Sequence, residues 1–285
     1  MSGMSSGPDA GQRKRAERFR LLHRPGVPFV LGNAWDVASA LVLEDAGFEA
    51  VGTSSAGLAA SLGRVDAEAV ALDELVQVVQ RIARAIQVPL SVDVESGFGP
   101  RPQDVAVCAA KVLGAGAVGL NLEDALPGSA QLLPLRDAAE RIAAARSTAD
   151  GLGIPAVINA RTDVFWRKVG PEERRLEEAL QRLQAYVQAG ADSVFVPGAQ
   201  RRIEIARLAA QAGAPLNLLA SQDLPPLGEL ARLGVARVSL GSAPMRAALT
   251  TLRRIGNELR GPGTYSLLTT DVLTYAELQA LVRRN

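Results

Sequence analysis

From residue 28 onward, short apolar and often β-branched runs alternate with longer amphipathic stretches, and the alternation occurs eight times. The runs are "PFVLG", "AVGTS", "PLSVDV", "AVGLNLE", "PAVINA", "DSVFVP", "PLNLLA" and "RVSLG". Each is too short for a helix and too apolar for a loop, so each reads as a strand. The Ala/Leu/Arg/Glu-rich segments between them predict helices over 36–46, 67–86, 102–115, 135–149, 171–189, 200–213, 226–233 and 243–259. Turns such as "EDAGFEA", "LGAGAVG", "QAGADS" and "RLGVARV" put a glycine where one helix ends and the next strand begins. Strand then helix, eight times over, predicts an α/β fold of one (β/α)₈ TIM barrel. A doubly wound open sheet is the competing reading. It would carry fewer strands and a glycine-rich phosphate loop after the first, and "LGNAWD" has no such pattern.

Outside the repeat, "QRKRAERFRLLHR" spaces Phe19, Leu21 and Leu22 among basic residues and predicts an N-terminal helix with a solvated cationic face. After the break at Gly261-Pro262-Gly263, Thr274 and Glu277 have capping-box spacing and predict an extra C-terminal helix. The expected organisation is a flexible N-terminus over 1–11, a barrel domain with its N-terminal helix over 12–260, and a helical tail over 261–285. A formal net charge of +1 supplies no field to draw in nucleic acid. No apolar run approaches the roughly 18–20 residues of a membrane span, and the first residues lack a secretory signal, so a cytoplasmic protein without membrane contact is expected. Cys108 and His23 are the single cysteine and the single histidine. Any bound metal must therefore be held by oxygen. Cys108 reads as a core residue in mid-helix, and His23 as the end of the first helix.

A barrel of this type carries its site at the C-terminal ends of the strands, so the polar residues that follow each apolar run are diagnostic. They include Asn33-Ala-Trp35-Asp36, Thr53-Ser54-Ser55, Asp93-Val-Glu95, Asn121-Leu-Glu123-Asp124 and Asn159-Ala-Arg161-Thr-Asp163. Side chains alternate along a strand, so Asp93 shares a face with Glu95, Asn121 with Glu123, and Asn159 with Arg161. If those faces point inward, neighbouring strands gather three carboxylates beside an arginine. Carboxylates so placed repel one another unless a cation neutralises them. Mg²⁺ is the expected ion, with Mn²⁺ an alternative, held by Asp93, Glu95 and Glu123 directly or through water. Arg161 suits a substrate carboxylate, which its planar fork can pair. The competing reading has these acids outward or at helix starts, with Glu123 and Arg161 as a structural ion pair. Asp124 and Asp163 are assigned to loops or helix starts, and Trp166 to packing, with closure over the mouth as its alternative.

The segments "NAWDVASA", "TSSAG", "SVDVESGFG", "GLNLED" and "INARTD", in this order, resemble the isocitrate lyase/phosphoenolpyruvate mutase superfamily over residues 28–255. The resemblance implies a Mg²⁺-dependent barrel that acts on a small 2-oxo or 2-hydroxy carboxylate through an enolate. It also implies a homo-oligomer, dimer or tetramer, in which the last barrel helix is exchanged between paired subunits. On the matching positions, it makes Asp93 a direct metal ligand that also meets the substrate, and Glu95 and Glu123 its companions. Asp66 matches an aspartate projecting over the site, assigned here as base or water positioner. Ser54, Ser55 and Ala56 match the cradle of the substrate carboxylate, Trp35 the aromatic packed beside it, and Arg161 the arginine that fixes it. The loop "DALPGSAQLLPLRD" departs from the pattern, because it lacks the cysteine of the lyases and the lysine and asparagine of the phosphonate enzymes. Decarboxylation or hydrolysis of oxaloacetate makes the smaller demand on a loop acid, so C–C cleavage of that type is expected. The alternatives are a 2-methylisocitrate or isocitrate-type lyase, a phosphonate mutase, and a barrel that binds 2-oxo acids with little catalysis.

Overall fold

The computed structural model describes residues 10–67, 69–129 and 131–283. Eight strands close into a parallel barrel in sequence order: β1 (Phe29–Ala34), β2 (Val51–Thr53), β3 (Leu90–Asp93), β4 (Gly119–Glu123), β5 (Val157–Arg161), β6 (Ser193–Phe195), β7 (Leu216–Leu219) and β8 (Arg237–Ser239). Pairing of β1 with β8, Phe29 opposite Arg237, closes the ring. Every one of the eight predicted runs holds a strand. Between strands lie α2 (Val37–Asp45), α4 (Leu72–Ala85), α5 (Pro102–Gly114), α6 (Leu135–Gly151), α7 (Glu172–Gln188), α8 (Arg202–Gln211) and α9 (Leu227–Arg232), with α10 (Ala243–Arg260) after β8. Val92, Leu120, Ile158, Val194, Leu218 and Val238 are buried in the apolar layer between sheet and helices. Cys108 lies in that layer too, fully buried in α5.

The segment between β2 and β3 differs from the expectation of one helix over 67–86. It holds α3 (Ser55–Ser61), an irregular stretch, and then α4. Two local signals account for this. The Ser54 side chain accepts the Gly57 N–H at 3.2 Å and caps α3. Glu74 reaches back to accept the Ala71 N–H at 3.2 Å, which sets the start of α4. Ala67, at φ 78°, interrupts the helix between them.

The N-terminal helix α1 (Ala10–Leu22) begins within the stretch expected to be flexible; residues 1–9 of that stretch lie outside the described residues. It buries Gln12, Ala16 and Phe19, spaced to form one stripe. Phe19 packs edge-on against Phe29, the first residue of β1. It also stands where a side chain on Gly119, the first residue of β4, would project: a Cβ there would lie 2.6 Å from Phe19 Cε1. Helix α1 thus covers the N-terminal ends of the strands, and the site must open at the other end. After α10 come α11 (Ser266–Thr269) and α12 (Tyr275–Arg283). The predicted cap of α12 is present, Glu277 N–H donating to Thr274 Oγ1 at 3.2 Å and Thr274 N–H to Glu277 Oε2 at 2.7 Å. Among the described residues, no helix is long and apolar enough to cross a membrane.

Candidate active site

Strands β3 to β6 carry polar residues at paired positions, and these join into a directional chain. Ser193 Oγ donates to Asn159 Oδ1 at 2.6 Å, Asn159 Nδ2 to Asn121 Oδ1 at 2.8 Å, and Asn121 Nδ2 to Asp93 Oδ1 at 3.0 Å. The register aligns Asp93 with Asn121, Asn121 with Asn159, and Asn159 with Ser193. Because Asn121 accepts on one side, its amide must donate on the other, and Asp93 is presented with an N–H donor. Two backbone donors approach the same side chain, Ser55 N–H at 3.3 Å and Glu95 N–H at 3.3 Å.

Asp93 lines a cavity of about 330 Å³ together with Ser54, Ser55, Ala56, Asp66, Arg161 and Trp166. These residues follow the C-terminal ends of β2, β3 and β5, as the barrel architecture dictates. Ser54, Ser55 and Ala56 form the start of α3, whose first-turn N–H groups have no intrahelical acceptors. Asp66 stands exposed on the irregular stretch between α3 and α4. That stretch is braced by Arg64, whose Nη1 donates to Ala69 O at 2.9 Å and Glu74 Oε2 at 2.6 Å. Trp166, 56% exposed, stands at the opening of the cavity rather than serving packing alone.

Glu95, Glu123 and Trp35 do not line the cavity. Trp35 lies beside α3, where a Cβ on Gly57 would come 3.2 Å from its own Cβ. Glu95 has φ 51°, a left-handed conformation uncommon for a side-chain-bearing residue. Its carbonyl accepts the Glu123 N–H at 2.9 Å and ties the end of β3 to β4. The turn continues through Gly97 at φ 92°, where a Cβ would also strike Val105 Cγ2 at 2.8 Å. Strain of this kind gathers at functional sites. As they stand, the described residues contain no group of three His, Cys, Asp or Glu side chains able to hold a metal ion.

Glu123 faces Arg161 across the β4–β5 ladder, with Oε2 2.8 Å from Nη1. Burial raises the Glu123 pKa to about 8; Arg161 opposes the rise, and the negative charges of Asp163, Asp93 and Glu95 add to it. The carboxylates that act on Glu123 offer oxygen donors, the type of ligand that Mg²⁺ takes. Burial works against the charge of Arg161 as well, but Glu123 and Asp163 outweigh it. Arg161 grips Asp163 with two bonds, Nε to Oδ1 at 2.6 Å and Nη2 to Oδ2 at 3.1 Å.

Asp163 and Asp124 lie in the loops after β5 and β4, as the sequence suggested, but both are buried there and hold partners. Asp163 is buried and also holds Arg167, 3.1 Å from Nε. Its backbone N–H donates to Asp124 Oδ1 at 2.9 Å, and Asp124 Oδ2 accepts from Thr162 Oγ1 at 2.7 Å and Tyr186 Oη at 2.8 Å. Asp163 thus grips Arg161 directly, and Asp124 holds Asp163 through its backbone. Of the other residues on the cavity wall, Asn33 and Ser239 stand at polar strand ends but receive no role from the sequence, and Ser91, Arg237 and Arg246 are not singled out by it. The alternation from Ser239 back to Arg237 was the available signal, masked because Arg237 opens its strand.

The phosphoenolpyruvate phosphomutase model matches residues 19–260. The oxaloacetate decarboxylase of Bradyrhizobium sp. (strain BTAi1) is 32% identical over 262 residues, covering 89% of this chain and 87% of that protein. Uncharacterized protein Rv1998c of Mycobacterium tuberculosis is 39% identical over 232 residues, covering 81% and 84%. Among solved structures, phosphonopyruvate hydrolase in complex with oxalate and Mg²⁺ superposes with a TM-score of 0.81 at 26% identity, covering 94% of each chain. Oxaloacetate acetylhydrolase in complex with the product oxalate superposes with a TM-score of 0.82 at 26% identity, covering 97% of this chain and 95% of that one. Fold, strand-end motifs and relatives agree, and the chain belongs to the phosphoenolpyruvate phosphomutase family, within the phosphoenolpyruvate mutase/isocitrate lyase superfamily.

Proposed function

We propose that the protein is a Mg²⁺-dependent carbon–carbon lyase for a small 2-oxo or 2-hydroxy carboxylate, with oxaloacetate cleavage of the decarboxylase or hydrolase type as its reaction. One observation carries the reading: Asp93 lies on the cavity wall as the terminal acceptor of a three-bond chain from Ser193, beside Arg161 and the start of α3. Asp93 would hold the metal directly, while Glu95 and Glu123, set back from the cavity, would act through water. When bound, the cation polarises the 2-oxo group and offsets negative charge that develops as the bond breaks.

The chain's own residues do the rest. Ala56 N–H, the first-turn donor next to the Ser55 N–H already given to Asp93, donates to the substrate carboxylate. Arg161 uses three of its five N–H groups on Glu123 and Asp163, and the remaining two orient the bound acid. Asp66, exposed over the cavity, positions water or takes a proton. The loop after β4 runs from Asp124 to Leu133, closed by Leu133 N–H on Asp124 O at 2.8 Å. Its sequence supplies no cysteine, histidine or lysine, which favours reactions that water can finish.

The oligomeric reading belongs here too. Helix α10 leaves Leu249, Leu252 and Leu259 exposed and buries Met245 at its start. A second copy of the chain would cover that stripe in a dimer or tetramer. The test of function is a product assay on the full chain with oxaloacetate, with Mg²⁺ and then with excess chelator. Metal-dependent release of pyruvate with CO₂, or of oxalate with acetate, supports the reading. Cleavage of 2-methylisocitrate or phosphonopyruvate with oxaloacetate untouched overturns it.

A further inference from the structure

Arg237 opens β8 and is buried at the inner end of the cavity. The aromatic residues that α1 places over the strand starts lie beneath it, and its Cζ is 5.9 Å from the Phe19 ring centroid. Its one hydrogen bond among the described residues runs from Nε to Ser239 Oγ at 3.1 Å, and Ser239 in turn donates to Asn217 Oδ1 at 3.1 Å. Arg237 Nη1 has no partner, and Asn217 Nδ2, one residue along that chain, has none either. Arg237 joins none of the ion pairs among the described residues.

The contrast with Arg161 is instructive. Both guanidinium groups are buried beside the cavity, but Arg161 is held by Glu123 and Asp163, whereas Arg237 has only the more distant charge of Asp93 to set against its burial. A guanidinium does not shed its proton in a protein, and an unpaired buried charge is strongly unfavourable. A site of this kind invites an anion, and the guanidinium fork matches a carboxylate.

We propose that Arg237 is a specificity-determining residue that receives the second carboxylate of a 2-oxo dicarboxylate, with the 2-oxo group and first carboxylate lying toward Asp93. The proposal rests on the reading of this cavity as the 2-oxo acid site. It deepens that reading by setting dicarboxylates above pyruvate-like monocarboxylates. A carboxylate held by a guanidinium is also retained rather than released as neutral CO₂. Arg237 therefore favours hydrolysis between C2 and C3 of oxaloacetate over decarboxylation: oxaloacetate dianion and water give oxalate dianion, acetate and one proton.

The test is isothermal titration of the full chain in Mg²⁺ with oxalate, pyruvate and 3,3-difluorooxaloacetate, for the wild type, Arg237→Met and Arg237→Lys, with product analysis on oxaloacetate. The wild type is expected to prefer difluorooxaloacetate over pyruvate by about 10- to 100-fold, the range of a charged hydrogen bond. Arg237→Met should erase that preference while shifting oxalate affinity by less than about threefold, and Arg237→Lys should restore part of it. Oxalate and acetate should exceed CO₂ as wild-type products. Oxalate binding without any dicarboxylate preference in the wild type overturns the inference alone, as does a product mixture dominated by CO₂. Equal weakening of oxalate and difluorooxaloacetate in Arg237→Met assigns the residue to structure and also overturns it. If Arg237→Met does not fold, the wild-type preference and Arg237→Lys decide. Failure of the wild type to bind any of the three sinks the reading of the cavity itself and this inference with it.

Discussion

Arg161 Nη1 lies 2.8 Å from Glu123 Oε2, at positions that face each other in the β4–β5 register. The pair is lopsided: Arg161 stays charged, while burial and three nearby carboxylates hold Glu123 near a pKa of about 8. Arg161→Met leaves Glu123 and Asp163 buried without their shared partner and should destabilise the fold by about 3–5 kcal/mol. Glu123→Gln mimics the protonated acid, so at pH 4 without divalent cation its stability should lie within about 1 kcal/mol of wild type. The sign of the pH effect follows from a folded pKa raised above the ordinary 4.5. Wild-type stability from this group is full below that pH and is lost as pH rises toward 8. Urea denaturation across the range should show the wild type losing ground to Glu123→Gln as pH rises; parallel curves would contradict the account.

The chain from Ser193 to Asp93 makes its own prediction. Asn159 is fully buried and bonds on both sides. Asn159→Leu leaves Asn121 Oδ1 and Ser193 Oγ without these partners, and should lower stability by about 1–3 kcal/mol. The same change frees Asn121 to turn its amide, so Mg²⁺ affinity should fall by roughly 10- to 100-fold, as for other groups that orient a metal ligand. Calorimetric titration of Mg²⁺ into wild type and variant checks this. Lost stability with unchanged affinity would confine the chain to a structural role.

Much of this architecture was legible because the chain repeats one local grammar. Alternating apolar runs and glycine-stopped helices define strand–helix units, and eight units leave a closed barrel as the economical solution. The strand-end rule also placed Asp93, Arg161 and Ser54 to Ala56 on one cavity wall. What failed to show was directional. Glu95 shares parity with Asp93, but its left-handed backbone takes it out of strand geometry before parity applies. Asp163 and Asp124 are loop acids as read, but their partners, Arg167, Thr162 and Tyr186, are set by tertiary packing of α7 and the turn after β5, which no local pattern displays. Helix α3 does not show in the sequence because six of its seven residues are small and carry little periodicity, and its cap, Ser54, also reads as a substrate contact.

His23 supplies a second pH signature, remote from the cavity. Burial, with help from the charge of Arg237, lowers its pKa to about 3 against an ordinary 6.5, and its Nδ1 lies 2.8 Å from Phe19 O. The neutral ring is what the fold holds, so its stabilisation is full above pH 6.5 and is lost as pH falls toward 3. Relative to His23→Gln, the wild type should lose stability by up to about 1.4 kcal/mol per pH unit over that window. Its direction is opposite to that of Glu123, so the difference between wild type and His23→Gln, rather than the wild-type curve alone, is the quantity to measure. A flat difference would show that His23 titrates normally.

The central claim is that Asp93 organises a divalent cation for turnover of a 2-oxo acid. The direct measurement is oxaloacetate consumption by Asp93→Ala against Mg²⁺ concentration, with circular dichroism to show that the barrel is intact. The account predicts that Mg²⁺-stimulated turnover falls by more than the roughly 10- to 100-fold typical of losing an outer partner of a metal ligand, and that Mg²⁺ no longer raises the thermal midpoint. A folded Asp93→Ala protein that turns over oxaloacetate at the wild-type rate with the same Mg²⁺ dependence would contradict it.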